Sequence, residues 1–307
     1  MSGASTITLR CDAARSQLTL EPSFGCVATS WLVDEAELLA LPAPREEFLR
    51  STRTGGIPLL YPYANRLRTD RFLCAGLEVD LSRELSLKRD AGGLPIHGLL
   101  LRWPHWVLTQ PSESALCAKL DWAAHSWLMH AYPFGHTLEL RWELTKIADQ
   151  AALTITTTIH ADRDTPVPIA FGWHPYFLAR SPSAATAEFP SMREVKLLPS
   201  GVPSVPLTLD PNRRHLPVSI GSGVDALFQI ESPSSQVVLR EPTRSIAIEF
   251  LQGYRWMQAF SPLGANYVAI EPMTAPTSAL SDGSAAVIPS GESTSASFCV
   301  QAPCRKN

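Results

Sequence analysis

The chain of 307 residues is 45% hydrophobic and 18% charged, with a formal net charge of -3. A chain of this length and composition is globular and buries a sizeable core, and its weak negative charge provides no basic face of the kind that nucleic-acid binding needs. No apolar run approaches the ~18 residues of a membrane-spanning helix, so composition also argues against a membrane protein.

The N-terminus and the cysteines indicate the compartment. Residues 1–10 have no basic region followed by an apolar segment, so no signal peptide is predicted. Six cysteines are scattered without a Cys-x-x-Cys pair. They could form three disulfides, but in a chain of this length reduced, mostly buried thiols are the preferred interpretation. We therefore predict a cytoplasmic protein. No linker is visible, and residues 1–307 are predicted to form a single domain.

Apolar and polar residues alternate along much of the chain, which predicts β-strands. The predicted strands are residues 6–10, 17–20, 115–122, 137–144, 153–160, 237–240, 245–250, 267–270 and 295–300. Short helices are predicted at 34–41 and 46–50, and the 26 prolines leave little room for long ones. Many short strands separated by turn signals predict an all-β sandwich or barrel.

Residues 171–177 read Phe-Gly-Trp-His-Pro-Tyr-Phe and place His174 among aromatic rings. The following proline restricts the histidine backbone to extended conformations. An imidazole surrounded by rings suggests a pocket that contains a proton-transfer group. Three further segments stand out: residues 56–66 (Gly-Ile-Pro-Leu-Leu-Tyr-Pro-Tyr-Ala-Asn-Arg), 96–98 (Ile-His-Gly) and 269–272 (Ala-Ile-Glu-Pro).

In this order and spacing, the four segments resemble the aldose 1-epimerase (mutarotase) family. The resemblance implies a single large β-supersandwich of the galactose mutarotase-like type, with few short helices and a sugar site in a cleft over one sheet. It also implies an isomerase that interconverts the α and β anomers of a hexose such as galactose or glucose. Such a protein would have a small-molecule sugar as its partner and would need no cofactor or metal.

Anomer interconversion needs a base at the anomeric hydroxyl and an acid at the ring oxygen, which a carboxylate and an imidazolium on opposite sides of the ring can supply. Glu271 is the candidate base, expected at the end of strand 267–270, with Pro272 ending the strand. His174 is the candidate acid, since an imidazole titrates close to neutral pH. The resemblance assigns His97 to sugar contact and to assistance of the acid.

Six further residues are candidates for substrate binding. Asn65 and Arg66 match the Asn-Arg pair of the family, and arginine offers fixed donors to hydroxyl oxygens. Asp225 resembles the sugar-binding aspartate, although Ala226 replaces the histidine that usually follows it. Trp173 and Tyr176 are candidates for stacking on a sugar face, as is Tyr63.

Other interpretations of these residues remain open. Glu271 could be a solvated turn residue, His174 a core histidine, His97 a turn residue and Arg66 a surface ion-pair partner. Arg68 and Arg71 could indicate a sugar phosphate, so a hexose-6-phosphate mutarotase is one alternative, and a non-catalytic sugar-binding or sensing protein is another. A glycoside hydrolase using Glu271 and Asp225 would leave the histidines without a role. The eight histidines show no spacing typical of zinc, so no metal site is predicted.

Overall fold

The computed structural model describes residues 6–84, 86–213, 217–232 and 235–305. These residues form twenty-five strands, two short α-helices and three 3-10 turns. The helical segments are α1 Arg45–Phe48, α2 Ser126–Ala131 and the 3-10 turns Asp12–Ala14, Pro22–Phe24 and Pro182–Ala184. The prediction of an all-β fold with few short helices is confirmed.

The strands fall into five sheets. In chain order they are β1 Ile7–Cys11, β2 Ser16–Glu21, β3 Val27–Val33, β4 Ala36–Glu37, β5 Leu59–Leu60, β6 Arg71–Cys74, β7 Leu77–Asp80, β8 Val107–Ser112, β9 Ala115–Asp121, β10 His136–Ile147, β11 Gln150–Ala161, β12 Val167–Ile169, β13 Gly172–Trp173, β14 Tyr176–Leu178, β15 Thr186–Glu188, β16 Met192–Val195, β17 Leu209–Arg213, β18 Pro217–Ser219, β19 Val224–Ile230, β20 Gln236–Arg240, β21 Ser245–Gln252, β22 Trp256–Ser261, β23 Tyr267–Met273, β24 Ala286–Ile288 and β25 Ser293–Pro303. All nine strands predicted from alternation are present, with ends that differ by a few residues.

One large sheet has nine strands in the order β18-β15-β20-β21-β25-β11-β10-β9-β8. Its longest hairpin, β10–β11, pairs Leu138 with Ile159 and Trp142 with Ile155. In β10 the apolar side chains at alternate positions are buried and the charged ones between them are not. This pattern follows from the two-residue period of a strand, which sends successive side chains to opposite faces.

The second large sheet has eight strands in the order β17-β16-β19-β22-β23-β13-β5, with β14 also paired to β23. Its inner face packs on the nine-stranded sheet. The rings of Trp142 on β10 and Trp173 on β13 meet edge to face at 5.9 Å, and Trp173 also contacts Phe298 on β25. The main apolar core therefore lies between the two sheets, as expected for a sandwich.

A four-stranded sheet, β1 to β4, and two small hairpins, β6–β7 and β12–β24, complete the fold. The helix predicted at 34–41 is wrong. Asp34 and Glu35 both have positive φ, and they form the turn of a hairpin in which β4 pairs with β3. Two positive φ values in succession are typical of a two-residue hairpin turn. Helix α1 confirms the helix predicted at 46–50, whereas α2 was not predicted.

Across the described residues, no helix is long and apolar enough to cross a membrane. All six cysteines are free thiols, and those at positions 26, 74, 299 and 304 are buried.

A buried histidine makes the stability of this fold depend on pH. His136 is fully buried; its Nδ1–H donates to the Phe134 carbonyl at 2.6 Å, so its Nε2 accepts from the Tyr61 hydroxyl, also at 2.6 Å. Burial lowers the pKa of His136 to about 4. Between about pH 6.5 and about pH 4, His136 binds a proton in the unfolded chain but not in the folded chain. The free energy of unfolding therefore falls as the pH falls.

We expect the free energy of unfolding to drop by about 2 kcal/mol more between pH 7 and pH 5 in the wild type than in His136→Gln. Urea unfolding of both proteins at the two pH values measures this difference. An equal drop in the two proteins would show that His136 is not the cause of the pH dependence.

Candidate active site

The segment around His174 is a tight connection between β13 and β14. The backbone N–H of His174 donates to the Pro58 carbonyl at 3.0 Å, and that of Tyr176 donates to the Gly56 carbonyl at 2.8 Å. The ring of Tyr176 therefore stacks on the imidazole, with ring centroids 4.3 Å apart and planes 3° from parallel. The Tyr176 hydroxyl also lies 3.0 Å from His174 Nε2.

Strand register brings Glu271 to this histidine. Glu271 lies on β23, which pairs with β14 on one side and with β22 on the other, where Gln258 is opposite Glu271. The carboxylate Oε1 is 3.1 Å from His174 Nε2, and the two residues are only 2% and 4% exposed. Two expectations are corrected: Glu271 is inside its strand, which continues through Pro272, and the two groups are in contact rather than facing each other across a ring.

Burial suppresses the charge on both groups. It lowers the pKa of His174 to about 3, with a further lowering by the positive charge of Lys88. It raises the pKa of Glu271 well above its usual range; the charge of Asp225 adds to this effect and that of Arg66 opposes it. Burial therefore favours the neutral form of the pair, in which the proton lies on Glu271 and is donated to His174 Nε2.

His97 lies against His174, with the two rings nearly perpendicular and their centroids 5.3 Å apart. Its backbone N–H donates to the Asn65 carbonyl at 2.9 Å. His97 and Gly98 both have positive φ, and a Cβ at Gly98 would lie 2.2 Å from the Tyr61 carbonyl oxygen. Only glycine fits this close approach, which sets the position of His97. Burial lowers the pKa of His97 well below its usual range, and the electrostatic effect of the neighbouring His174 adds to this lowering. The His97 ring is therefore neutral.

Arg66 is held in place by two partners. Its Nε donates to Asp90 Oδ2 at 2.6 Å, and its Nη1 donates to Asn65 Oδ1 at 3.0 Å. Asn65 has positive φ and is nearly fully buried. On the opposite side, Asp225 on β19 accepts a hydrogen bond from Gln258 Nε2. The cleft therefore has a cation on one side and a carboxylate on the other.

These side chains surround a cleft of about 170 Å³. Its lining comprises Asn65, Arg66, His97, His174, Tyr176, Asp225 and Glu271, all singled out from the sequence, together with Thr54, Ile96, Gln258 and Phe260. Sequence reasoning missed the last four. Alternation on β22 would have placed Gln258 and Phe260 on one face, but this strand was not predicted. No sequence pattern pointed to Thr54, whose Oγ1 is 2.7 Å from the Tyr176 hydroxyl.

Trp173 does not reach the cleft, and this corrects its assignment to substrate binding. The residue is fully buried, and its Nε1 donates to Thr157 Oγ1 at 3.0 Å within the core. Because successive side chains of an extended segment point to opposite faces, the orientation of His174 toward the cleft sends Trp173 into the core. Tyr63 is likewise buried and does not line the cleft.

Arg68 and Arg71, considered above as possible phosphate ligands, lie outside the cleft lining. Arg68 Nε pairs with Asp282 at 2.8 Å, and Arg71 Nε pairs with Asp80 at 3.0 Å. Both arginines therefore have carboxylate partners of their own.

The cleft is equipped for a polar ligand. Among the described residues, four buried polar atoms of the cleft have no hydrogen-bond partner, namely His97 Nδ1, His174 Nδ1, Gln258 Oε1 and Glu271 Oε2. Buried polar groups normally have partners, so these atoms are available to a ligand rich in hydroxyls. Within the described part of the chain, no group of three or more His, Cys, Asp or Glu side chains is arranged to hold a metal ion.

Solved structures share this fold. A protein from Synechocystis sp. PCC 6803 aligns with a TM-score of 0.78 and 23% identity, over 98% of this chain and 96% of that one. A galactose mutarotase-like protein from Lactobacillus casei ATCC 334 aligns with a TM-score of 0.74 and 16% identity, over 97% and 100%. A galactose 1-epimerase from Lactobacillus acidophilus NCFM aligns with a TM-score of 0.72 and 14% identity, over 97% and 94%. No curated protein sequence matches the chain.

These likenesses define the class: the chain has the galactose mutarotase-like β-supersandwich fold, as predicted. The sequence model of the aldose 1-epimerase family matches residues 9–299, which is nearly the whole chain. The chain belongs to the aldose 1-epimerase family.

Proposed function

We propose that this protein is an aldose 1-epimerase that interconverts the α and β anomers of a hexose such as galactose or glucose, with Glu271 as base and His174 as acid. The observation that carries the proposal is the buried contact of 3.1 Å between these two groups in a polar cleft. Membership of the aldose 1-epimerase family supports it. One apolar cluster that extends from Leu9 to Cys304 supports a single catalytic domain; a cytoplasmic location stays a prediction.

The proton count of the pair suits this reaction. Transfer of the single proton from Glu271 to His174 produces a carboxylate and an imidazolium. Glu271 then takes the proton of the anomeric hydroxyl, and His174 gives its proton to the ring oxygen as the bond from that oxygen to the anomeric carbon breaks. The open-chain aldehyde forms beside a protonated Glu271 and a neutral His174, the state that burial favours.

Ring closure reverses these steps after rotation about the C1–C2 bond. The neutral imidazole takes the proton of the attacking hydroxyl, and Glu271 returns a proton to the carbonyl oxygen. The anomeric and ring oxygens share one carbon, so an acid and a base that lie side by side can serve both. No proton has to come from solvent during the cycle.

The remaining groups of the cleft orient the sugar. Arg66 offers donors, and Asp225 with Gln258 Oε1 offers acceptors on the other side. The His97 ring, neutral because of burial, contacts a hydroxyl. These groups hold the ring with its anomeric carbon at the His174–Glu271 pair.

The pH profile of the reaction should reflect the pair rather than two independent groups. A free imidazole titrates at about pH 6.5 and a free carboxyl at about pH 4.3. Because burial lowers the pKa of His174 and raises that of Glu271, the one-proton form persists through this range. We expect kcat/KM to change less than about twofold between about pH 5.5 and 7.5 and to fall at more alkaline pH, where the pair loses its proton. Polarimetry across this range measures the profile, and an inflection near pH 6.5 would contradict a coupled pair.

The test of the proposed function is polarimetry of freshly dissolved α-D-glucose and α-D-galactose with the purified protein, against the spontaneous rate. Acceleration that is lost in Glu271→Gln supports an aldose 1-epimerase and ranks the two sugars. Binding of either sugar without acceleration would instead support a non-catalytic sugar-binding protein.

A further inference from the structure

A second, larger cavity of about 790 Å³ lies beside the segment that carries His97. Three cationic side chains, Lys88, Arg89 and Arg102, line it, and its described lining contains no aspartate or glutamate. This charge distribution differs from that of the cleft, where Arg66 is opposed by Asp225 and Glu271.

The two spaces share neighbouring segments of chain. Gly98 lines the cavity, and the preceding His97 lines the cleft. Thr52 lines the cavity and Thr54 the cleft. The Lys88 carbonyl accepts a hydrogen bond of 3.0 Å from the backbone of Ile96, another cleft residue. The positive charge of Lys88 contributes to the lowered pKa of both His97 and His174, so its ammonium lies close to the cleft.

Lys88 is half-buried, and its Nζ donates to the Thr52 carbonyl at 2.9 Å. Among the described residues, no carboxylate lies within ion-pair distance of its ammonium. Burial and the neighbouring positive charge of Arg102 lower the pKa of Lys88 to about 8. Two partly buried like charges repel each other, and an anion beside them would relieve that cost.

Arg102 and Arg89 are already engaged by the protein. The guanidinium of Arg102 lies 3.8 Å from the Phe24 ring centroid and donates to the Leu101 carbonyl at 2.8 Å, although its Nε has no hydrogen-bond partner in the described part of the chain. Arg89 pairs with Asp70 at 2.8 Å. Lys88 is therefore the cation with the most freedom to bind a ligand.

We propose that this cavity binds an anionic group, a phosphate or a carboxylate, that is carried by the sugar whose ring occupies the cleft, and that Lys88 is its main counter-ion. The inference rests on the proposed function and extends its substrate class to anionic sugars. Hydrogen bonds to charged groups contribute about 1.5–3 kcal/mol, which corresponds to a factor of ten or more in kcat/KM.

Exchange of the anomeric proton signals in NMR measures the reaction for D-galactose, D-galacturonate and D-glucose 6-phosphate under one set of conditions. We expect Lys88→Met to lower the ratio of kcat/KM for the better anionic sugar to kcat/KM for galactose at least about tenfold. Lys88→Arg, which keeps the charge, should retain most of the ratio. Lys119→Met is the matched control, because Lys119 pairs with Glu139 on the nine-stranded sheet. An unchanged ratio in a folded Lys88→Met protein would overturn the inference.

Calorimetric binding separates failure of the subsite from failure of the proposed function. Titration of Glu271→Gln with glucose 6-phosphate, galacturonate and inorganic phosphate, each with and without Lys88→Met, needs no turnover. Binding of an anionic sugar that depends on Lys88 supports the subsite even if no sugar is interconverted. Inorganic phosphate that binds as tightly as both anionic sugars would show that the anion is not carried by a sugar and would overturn the proposal.

Discussion

Replacement of Glu271 by glutamine is expected to reduce the rate of anomer interconversion about 10³-fold, while sugar binding stays measurable. The amide has nearly the shape of the protonated carboxyl that the structure favours, but it cannot accept the proton of the anomeric hydroxyl. General acid–base groups typically raise the reaction rate 10²- to 10⁴-fold, so a loss of this size is expected when the base is removed. Polarimetry measures the rate, and calorimetry with galactose measures binding.

The same variant should be at least as stable as the wild type at neutral pH. A carboxyl whose folded pKa is raised costs stability above its unfolded pKa of about 4.3, and the cost grows with pH until the folded pKa is reached. Glutamine removes this cost because it does not ionise. Glu143→Gln is the matched control, since Glu143 is solvent-accessible and pairs with Arg141. Retention of full activity in Glu271→Gln would refute the mechanism, whatever the effect on stability.

His174→Gln is expected to lower kcat about 10²- to 10³-fold, because the side chain can still form a hydrogen bond but cannot carry a proton to the ring oxygen. Glutamine keeps a polar group beside Glu271 and avoids most of the cavity that alanine would leave. Stopped-flow or polarimetric progress curves at several galactose concentrations separate the effect on kcat from that on KM.

Tyr176→Phe provides the comparison for His174→Gln. It removes the hydroxyl that lies 3.0 Å from His174 Nε2 but keeps the ring that stacks on the imidazole. We expect a loss of about tenfold or less, since the ring still orients His174. A loss as large as that of His174→Gln would mean that the hydroxyl, rather than the imidazole, transfers the proton.

The double variant tests whether the acid and base act as a unit. If they share one proton, His174→Gln with Glu271→Gln should be about as impaired as the worse single variant, because groups that act together are strongly non-additive. Multiplicative losses would indicate two independent groups. The burial of both side chains favours the shared proton, since separate charges in this cleft would be poorly solvated.

Most of the site residues could be named from the sequence, but their geometry could not. Seven of the residues that line the cleft were named from the sequence: six lie in the four short segments that carry the family resemblance, and Asp225 lies outside them. The chemistry of ring opening predicted the acid and base on opposite sides of the ring, whereas the pairing of β14, β23 and β22 puts them in contact. The error over Trp173 has a simpler origin: an aromatic residue beside a catalytic candidate faces the other way on an extended chain.

The sequence by itself determined the local structure and the family. Alternation of apolar and polar residues is a local property with a period of two, so six strands of the nine-stranded sheet were visible in it, whereas β23 alone was predicted in the eight-stranded sheet. The motifs around His174 and Glu271 carried the family because their residue types are dictated by the chemistry proposed for them. Residues that join the cleft only through long-range strand pairing, such as Gln258, were decided by the tertiary structure.

The tertiary structure also decided the electrostatic character of the site. A histidine and a glutamate far apart in sequence each titrate normally, and only their joint burial between strands leaves one proton shared between them. In the same way Lys88 becomes a half-buried cation that lines a cavity only when residues 52, 98 and 102 fold around it. A sequence records which groups are present, but desolvation depends on what packs over them, and that is a property of the whole fold.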